Sequence, residues 1–204
     1  MNRSGNGQTT ALQFGSANDR LVPGDFTGDG KTDIAIWRPA DGSWYVLRSE
    51  DNSFFSFPFG STGDVPLVGD FDGDGKADAA IFRPSVQTWM ISQSSNGAVR
   101  YDKWGLATDK FIPGDFDGDG RNDLAVFRNG VWYIRRSSDS TASYINWGTS
   151  TDTPVTGDFD SDGKSDVAVY RGGVWYILNS ATNSLTARQF GTSNDTALAG
   201  AFNQ

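Results

Sequence analysis

Four stretches of this chain set oxygen donors at alternate positions around a glycine, and that spacing is the chemistry of a bound cation. In the form D-x-[DT]-x-D-G-x-x-D they supply Asp25, Thr27, Asp29 and Asp33; Asp70, Asp72, Asp74 and Asp78; Asp115, Asp117, Asp119 and Asp123; and Asp158, Asp160, Asp162 and Asp166. Hard oxygen donors in that number suit Ca2+, and the backbone carbonyls of Lys31, Lys76, Arg121 and Lys164 at the seventh place are expected to complete each shell. A metal-free turn, which aspartate and glycine also favour, is the weaker reading, because carboxylates gathered without a cation repel one another. An EF-hand shares the first half of the pattern but needs a bidentate glutamate at the twelfth place, where this chain has Ile36, Ile81, Val126 and Val169. Those side chains belong in a core, so each loop runs directly into a buried strand. The first loop is the poorest of the four, since Thr27 brings a neutral oxygen.

Charge supports the same reading. Fifteen of the 25 acidic residues lie in these loops, and about four Ca2+ ions would bring the formal charge of −8 to zero. An acidic surface repels nucleic acid and anionic membranes, so neither is expected as a partner. With no cysteine and no histidine, disulfides, imidazole bases and the usual zinc sites are excluded. Nucleophilic triads lack their base, and the acids available for glycoside hydrolysis already have repeated roles, so no enzyme is expected. The opening MNRSGNGQTT has no apolar run of the signal-peptide kind, and no later stretch is long and apolar enough to insert into a membrane.

The elements that must position the loops follow from the repeat. Loop copies begin at Gly24, Gly69, Gly114 and Gly157, with a partial fifth at Gly200, spaced 45, 45, 43 and 43 residues apart. The two-residue difference sits in one turn, where RPADGSW and RPSVQTW shorten to RNGVW and RGGVW. Asn129-Gly130 and Gly172-Gly173 are signals for a two-residue hairpin, so strands flank that turn. Each unit reads as four short strands, ending in an aromatic-glycine pair at Phe14-Gly15, Phe59-Gly60, Trp104-Gly105, Trp147-Gly148 and Phe190-Gly191. No helical period is sustained, and four-stranded units of this length are the mark of propeller blades. The expectation is one all-β domain over 1–204, a β-propeller with antiparallel repeats at about 21–65, 66–110, 111–153 and 154–196, plus partial blade strands at 11–15 and 197–202. Unpaired strand edges would then seek a partner.

The aromatic-glycine pair, the aspartate shortly after it (Asp19, Asp64, Asp109, Asp152 and Asp195) and the nine-residue acidic loop together resemble the FG-GAP and VCBS repeat family, which includes the calcium-bearing blades of integrin α-subunits. The likeness covers nearly all of residues 11 to 202. It departs where Val22-Pro23-Gly24 and its counterparts replace Gly-Ala-Pro, and where Ala201 stands in place of a first ligand. The resemblance implies an extracellular or cell-surface, calcium-stabilised module serving adhesion, carbohydrate binding or passive scaffolding.

Two residue series bear on the ligand. Arg38, Arg83, Arg128 and Arg171 are read as pairing with the aspartates that follow the aromatic-glycine pairs, and Trp44, Trp89, Trp132 and Trp175 as core, with Ala35, Ala80, Ala125 and Ala168 where little room remains. The expected partners are a protein ligand or other copies of the chain. The alternatives are a lectin with sugar sites repeated between blades, or a non-catalytic accessory to a secreted enzyme.

Overall fold

A computed structural model describes residues 12–197. It is all-β, with four antiparallel sheets arranged as a four-bladed β-propeller. Blade 1 is β1 (Arg20–Leu21), β2 (Ile34–Arg38), β3 (Ser43–Leu47) and β4 (Phe54–Pro58). Blade 2 is β5 (Val65–Gly69), β6 (Asp78–Arg83), β7 (Thr88–Ser92) and β8 (Val99–Asp102). Blade 3 is β9 (Lys110–Phe111), β10 (Leu124–Arg128), β11 (Val131–Arg135) and β12 (Ala142–Asn146). Blade 4 is β13 (Thr153–Gly157), β14 (Asp166–Arg171), β15 (Val174–Leu178) and β16 (Leu185–Gln189). In every blade the strands pair in sequence order.

The residue patterns explain these positions. Second strands such as Asp78–Arg83 are buried at nearly every residue, because a sheet between two neighbours has no solvent face; hence their unbroken apolar runs. Third strands alternate between buried and half-buried, and fourth strands lie at the exposed outer edge. The short hairpin forms as its residues require. Asn129 and Gly130 (φ 51° and 86°) join Arg128 to its partner Val131, and Gly172 and Gly173 (φ 58° and 90°) join Arg171 to Val174.

The core lies between blades. Trp37, Trp44 and Val46 of blade 1 pack with Ala79 and Ile81 of blade 2. Phe82, Trp89 and Ile91 pack with Leu124 and Val126 of blade 3, and Phe127, Trp132 and Ile134 with Val167 and Val169 of blade 4. Among the described residues no such cluster joins blade 4 to blade 1; Val155, Ala168 and Ile177 form a small cluster with Trp175 and Ala197 only.

At the chain's ends the picture is narrower than the sequence reading. Leu12–Gly15 form no strand, and Ala197 is likewise irregular. Residue 11 and residues 198–202 of the expected partial strands lie outside the described residues.

Candidate metal sites

Each acidic loop joins a blade's first and second strands, and each is built by its own carboxylates. The ninth-place aspartates, Asp33, Asp78, Asp123 and Asp166, are fully buried at the start of the second strand. One oxygen of each accepts the N–H of the second-place phenylalanine: Phe26 at 3.0 Å, Phe71 and Phe116 at 2.9 Å, and Phe159 at 2.8 Å. The first-place aspartate winds the loop around itself, as when Asp70 accepts N–H groups from Gly73 at 2.6 Å and Gly75 at 2.8 Å. The loop's sharp turn needs positive φ, and Gly73 and Gly75 supply it at 82° and 83°.

In three loops this winding brings the first, third and ninth carboxylates together. Ligand oxygens of Asp70, Asp72 and Asp78, of Asp115, Asp117 and Asp123, and of Asp158, Asp160 and Asp166 lie within 4.8 Å of one another. The first loop replaces the third acid with Thr27, whose Oγ1 is buried without a hydrogen-bond partner, as expected for a donor waiting on a cation. An all-oxygen set with a fully buried carboxylate and an orphaned hydroxyl fits a hard divalent ion.

The fifth-place aspartates make their hydrogen bonds within the same blade. Asp29, Asp74, Asp119 and Asp162 stand outside the three-carboxylate clusters and accept the N–H of the seventh-place residue at 2.8–2.9 Å. They also accept the hydroxyls of Ser49, Ser94, Ser137 and Ser180 at 2.7–2.9 Å. The side chains of Lys31 and Arg121 turn back onto Asp29 and Asp119 as well.

Those serines were missed. Each also donates its N–H to the ninth-place aspartate, at 2.6–2.8 Å, so the end of the third strand clamps the loop from across the hairpin. The signal was present in the sequence, because a serine recurs five residues after every tryptophan of the series.

Burial without a cation has an electrostatic cost. It raises Asp78 and Asp123 to about 6, against backbone N–H donors that act to lower them, and it raises Asp33, Asp70 and Asp166 in the same direction. A carboxyl whose folded pKa lies above its unfolded value binds protons better when folded. Its stabilising contribution is therefore present at low pH and lost as pH rises through about 6. The metal-free protein should gain about 1 kcal/mol from each of Asp78 and Asp123 between pH 7 and pH 5, or roughly 5 °C in all. Asp19, which the Arg38 guanidinium lowers, matters only below this window. In calcium the slope should reverse, because protons then compete with the metal. Thermal melts at pH 5, 6 and 7, with chelator and with calcium, read both slopes; a metal-free midpoint that falls on acidification contradicts this account of the loops.

The other two residue series are structural. Arg83 meets Asp64 at 2.9 and 2.8 Å, Arg128 meets Asp109 at 2.6 Å twice, and Arg38 and Arg171 hold Asp19 and Asp152 likewise. Trp44, Trp89 and Trp132 are fully buried and donate Nε1–H to the carbonyls of Phe59, Trp104 and Trp147. Ala35, Ala80 and Ala125 are buried between blades, and Ala168 is buried within blade 4 against Val155 and Ile177.

Comparison with known proteins agrees with this architecture. The model of the FG-GAP-like repeat matches residues 25–81 and 115–169, more than half of the chain. No curated protein matches it. Among solved structures, virginiamycin B lyase from Staphylococcus aureus is similar at 10% identity and a TM-score of 0.55, over 92% of this chain and 61% of that one. An Agrocybe aegerita lectin specific for non-reducing terminal N-acetylglucosamine is similar at 19% identity and 0.54, over 84% and 52%. A chain of a mitotic checkpoint complex is similar at 12% identity and 0.51, over 89% and 59%. At these identities the likeness is one of fold, and the chain spans between about half and three fifths of those proteins.

Proposed function

The chain belongs to the FG-GAP-like repeat family, and from that premise we propose that it is a calcium-stabilised propeller module that acts outside the cell by protein interaction, adhesion or assembly, without catalysis of its own. The observation that carries this reading is the recurrence, at one place in successive blades, of three carboxylates within 4.8 Å. Calcium bound there would tie first to second strand in each blade and relieve the repulsion among buried acids. Sites of this open, loop-borne kind bind in the range of about 0.1–1 mM, so they fill where calcium is millimolar, outside the cell. With the sites committed to structure, the blade surfaces remain for a partner.

The saccharide reading is the weaker one, because Trp44, Trp89 and Trp132 are fully buried and hydrogen-bonded, leaving no face for a sugar ring. Immobilised protein screened against protein and glycan arrays, in millimolar calcium and in chelator, separates the two. The expected result is protein capture in calcium that is lost on chelation, with no reproducible saccharide signal. Reproducible saccharide binding would favour the lectin, and capture indifferent to chelation would contradict a calcium-stabilised module.

A further inference from the structure

Successive blades pack by one repeated interface, and among the described residues both of its halves are left partly uncovered, one on blade 4 and one on blade 1. In blade 2, Phe71 (1% exposed) and Trp89 are covered by blade 3, whose Phe111 ring lies 4.1 Å from Phe82 and 5.5 Å from Trp89. Blade 4 carries Phe159 at the place of Phe71 and Phe190 at the place of Trp104, but Phe159 is 44% exposed and Phe190 77%. The facing half is bare too: Leu21 of blade 1, at the place of Phe111, is 64% exposed.

Polar geometry marks the same seam. Each strand-ending arginine takes the aspartate nineteen residues before it, as Arg38 takes Asp19. Asp195 has the same turn already built, accepting Thr192 N–H at 2.8 Å, yet among the described residues no arginine pairs with it. The turns themselves are near copies, FGSAND over 14–19 and FGTSND over 190–195. Gly15 lies against Ile36 just as Gly105 lies against Val126 and Gly148 against Val169 of the next blade.

We propose that blade 4 seats blade 1 of a second copy of this chain, head to tail, with Gly191 and Asp195 of one copy replacing Gly15 and Asp19 against Ile36 and Arg38 of the other. Exchanging one turn for its near copy leaves the hydrogen bonds and the ion pair unchanged in kind. The gain is burial of Phe159, Phe190 and Leu21, which three interfaces within the chain already show to be covered by a blade of this repeat. Because the two halves differ, association is heterologous and builds rings or open chains of copies. The proposal rests on the reading of the chain as an assembly module and makes that reading specific.

Light scattering in millimolar calcium, from micromolar to several hundred micromolar, tests it with two exposed-site variants. Phe190→Asp disables the blade 4 face and Leu21→Asp the blade 1 face. The wild type should rise above monomer mass with concentration, each variant should remain monomeric, and their mixture should give a one-to-one dimer, since each keeps one working half. Calcium melts of both variants should match the wild type, showing that they fold. A wild type that stays monomeric throughout, or variants that associate like it, overturns the second copy as occupant while leaving calcium stabilisation, measured in the same melts, to stand or fall separately.

Discussion

Adding millimolar calcium to the metal-free protein should raise its midpoint of thermal unfolding by about 10 °C, and chelation should reverse the gain. A loop binding at about 0.1–1 mM stabilises by roughly 1 kcal/mol at that concentration, and four loops together contribute several. This is a large fraction of a domain's net stability. The structure explains why the effect should be cooperative across the fold and not confined to surface turns. The first-place aspartates also accept hydrogen bonds between blades through their carbonyls: Asp25 from Ala77 N–H at 2.7 Å, Asp70 from Asn122 and Asp115 from Ser165 at 2.6 Å. A loop fixed by metal thus fixes the join to the next blade. Replacing the third-place acids together, Asp72→Ala, Asp117→Ala and Asp160→Ala, removes that donor altogether and should cut the calcium increment to about a quarter, leaving the Thr27 site. Magnesium should give a smaller rise, because it demands octahedral geometry and keeps its water. An increment unchanged in the triple variant would mean that calcium acts elsewhere.

Truncating Arg128 is the second large effect, with an expected loss of about 3 kcal/mol and roughly 8 °C. Asp109 has no exposed side-chain surface and holds Arg128 through two 2.6 Å bonds. Removing the guanidinium strands a buried carboxylate that keeps only the N–H of Leu106. Arg128→Lys should recover little, since an ammonium cannot reproduce the bidentate fork or lie over Tyr133 as the guanidinium does. A double-mutant cycle with Asp109→Asn, read by denaturant unfolding, should give a coupling near 2 kcal/mol. A loss below about 0.5 kcal/mol would place this pair among screened surface bridges.

Most of the architecture was legible because the repeat states each local rule several times. One Asn-Gly and one Gly-Gly pair at the same place located a hairpin, and Ile36, Ile81, Val126 and Val169 excluded the EF-hand and marked the buried strand. The pairing of Arg83 with Asp64 was legible because an arginine ends each second strand and an aspartate follows each aromatic-glycine pair. What was not legible depends on contacts across the fold. Ser94 reaches Asp74 and Asp78 only after the hairpin folds back, so its recurrence five residues after the tryptophan marks a role without naming the carboxylates it serves. Asp74 accepts that hydroxyl together with Lys76 N–H. Trp175 and Trp89 read identically in sequence, yet Trp89 is wholly buried and Trp175 is not, because burial comes from the blade that follows.

The central claim is that these loops hold calcium. Equilibrium dialysis against 2–5 mM calcium, with metal and protein measured in the same sample, counts the ions directly. The account predicts about four per chain, falling to about one in the triple third-place variant. No bound calcium at those concentrations, or the same number in the variant, would contradict it.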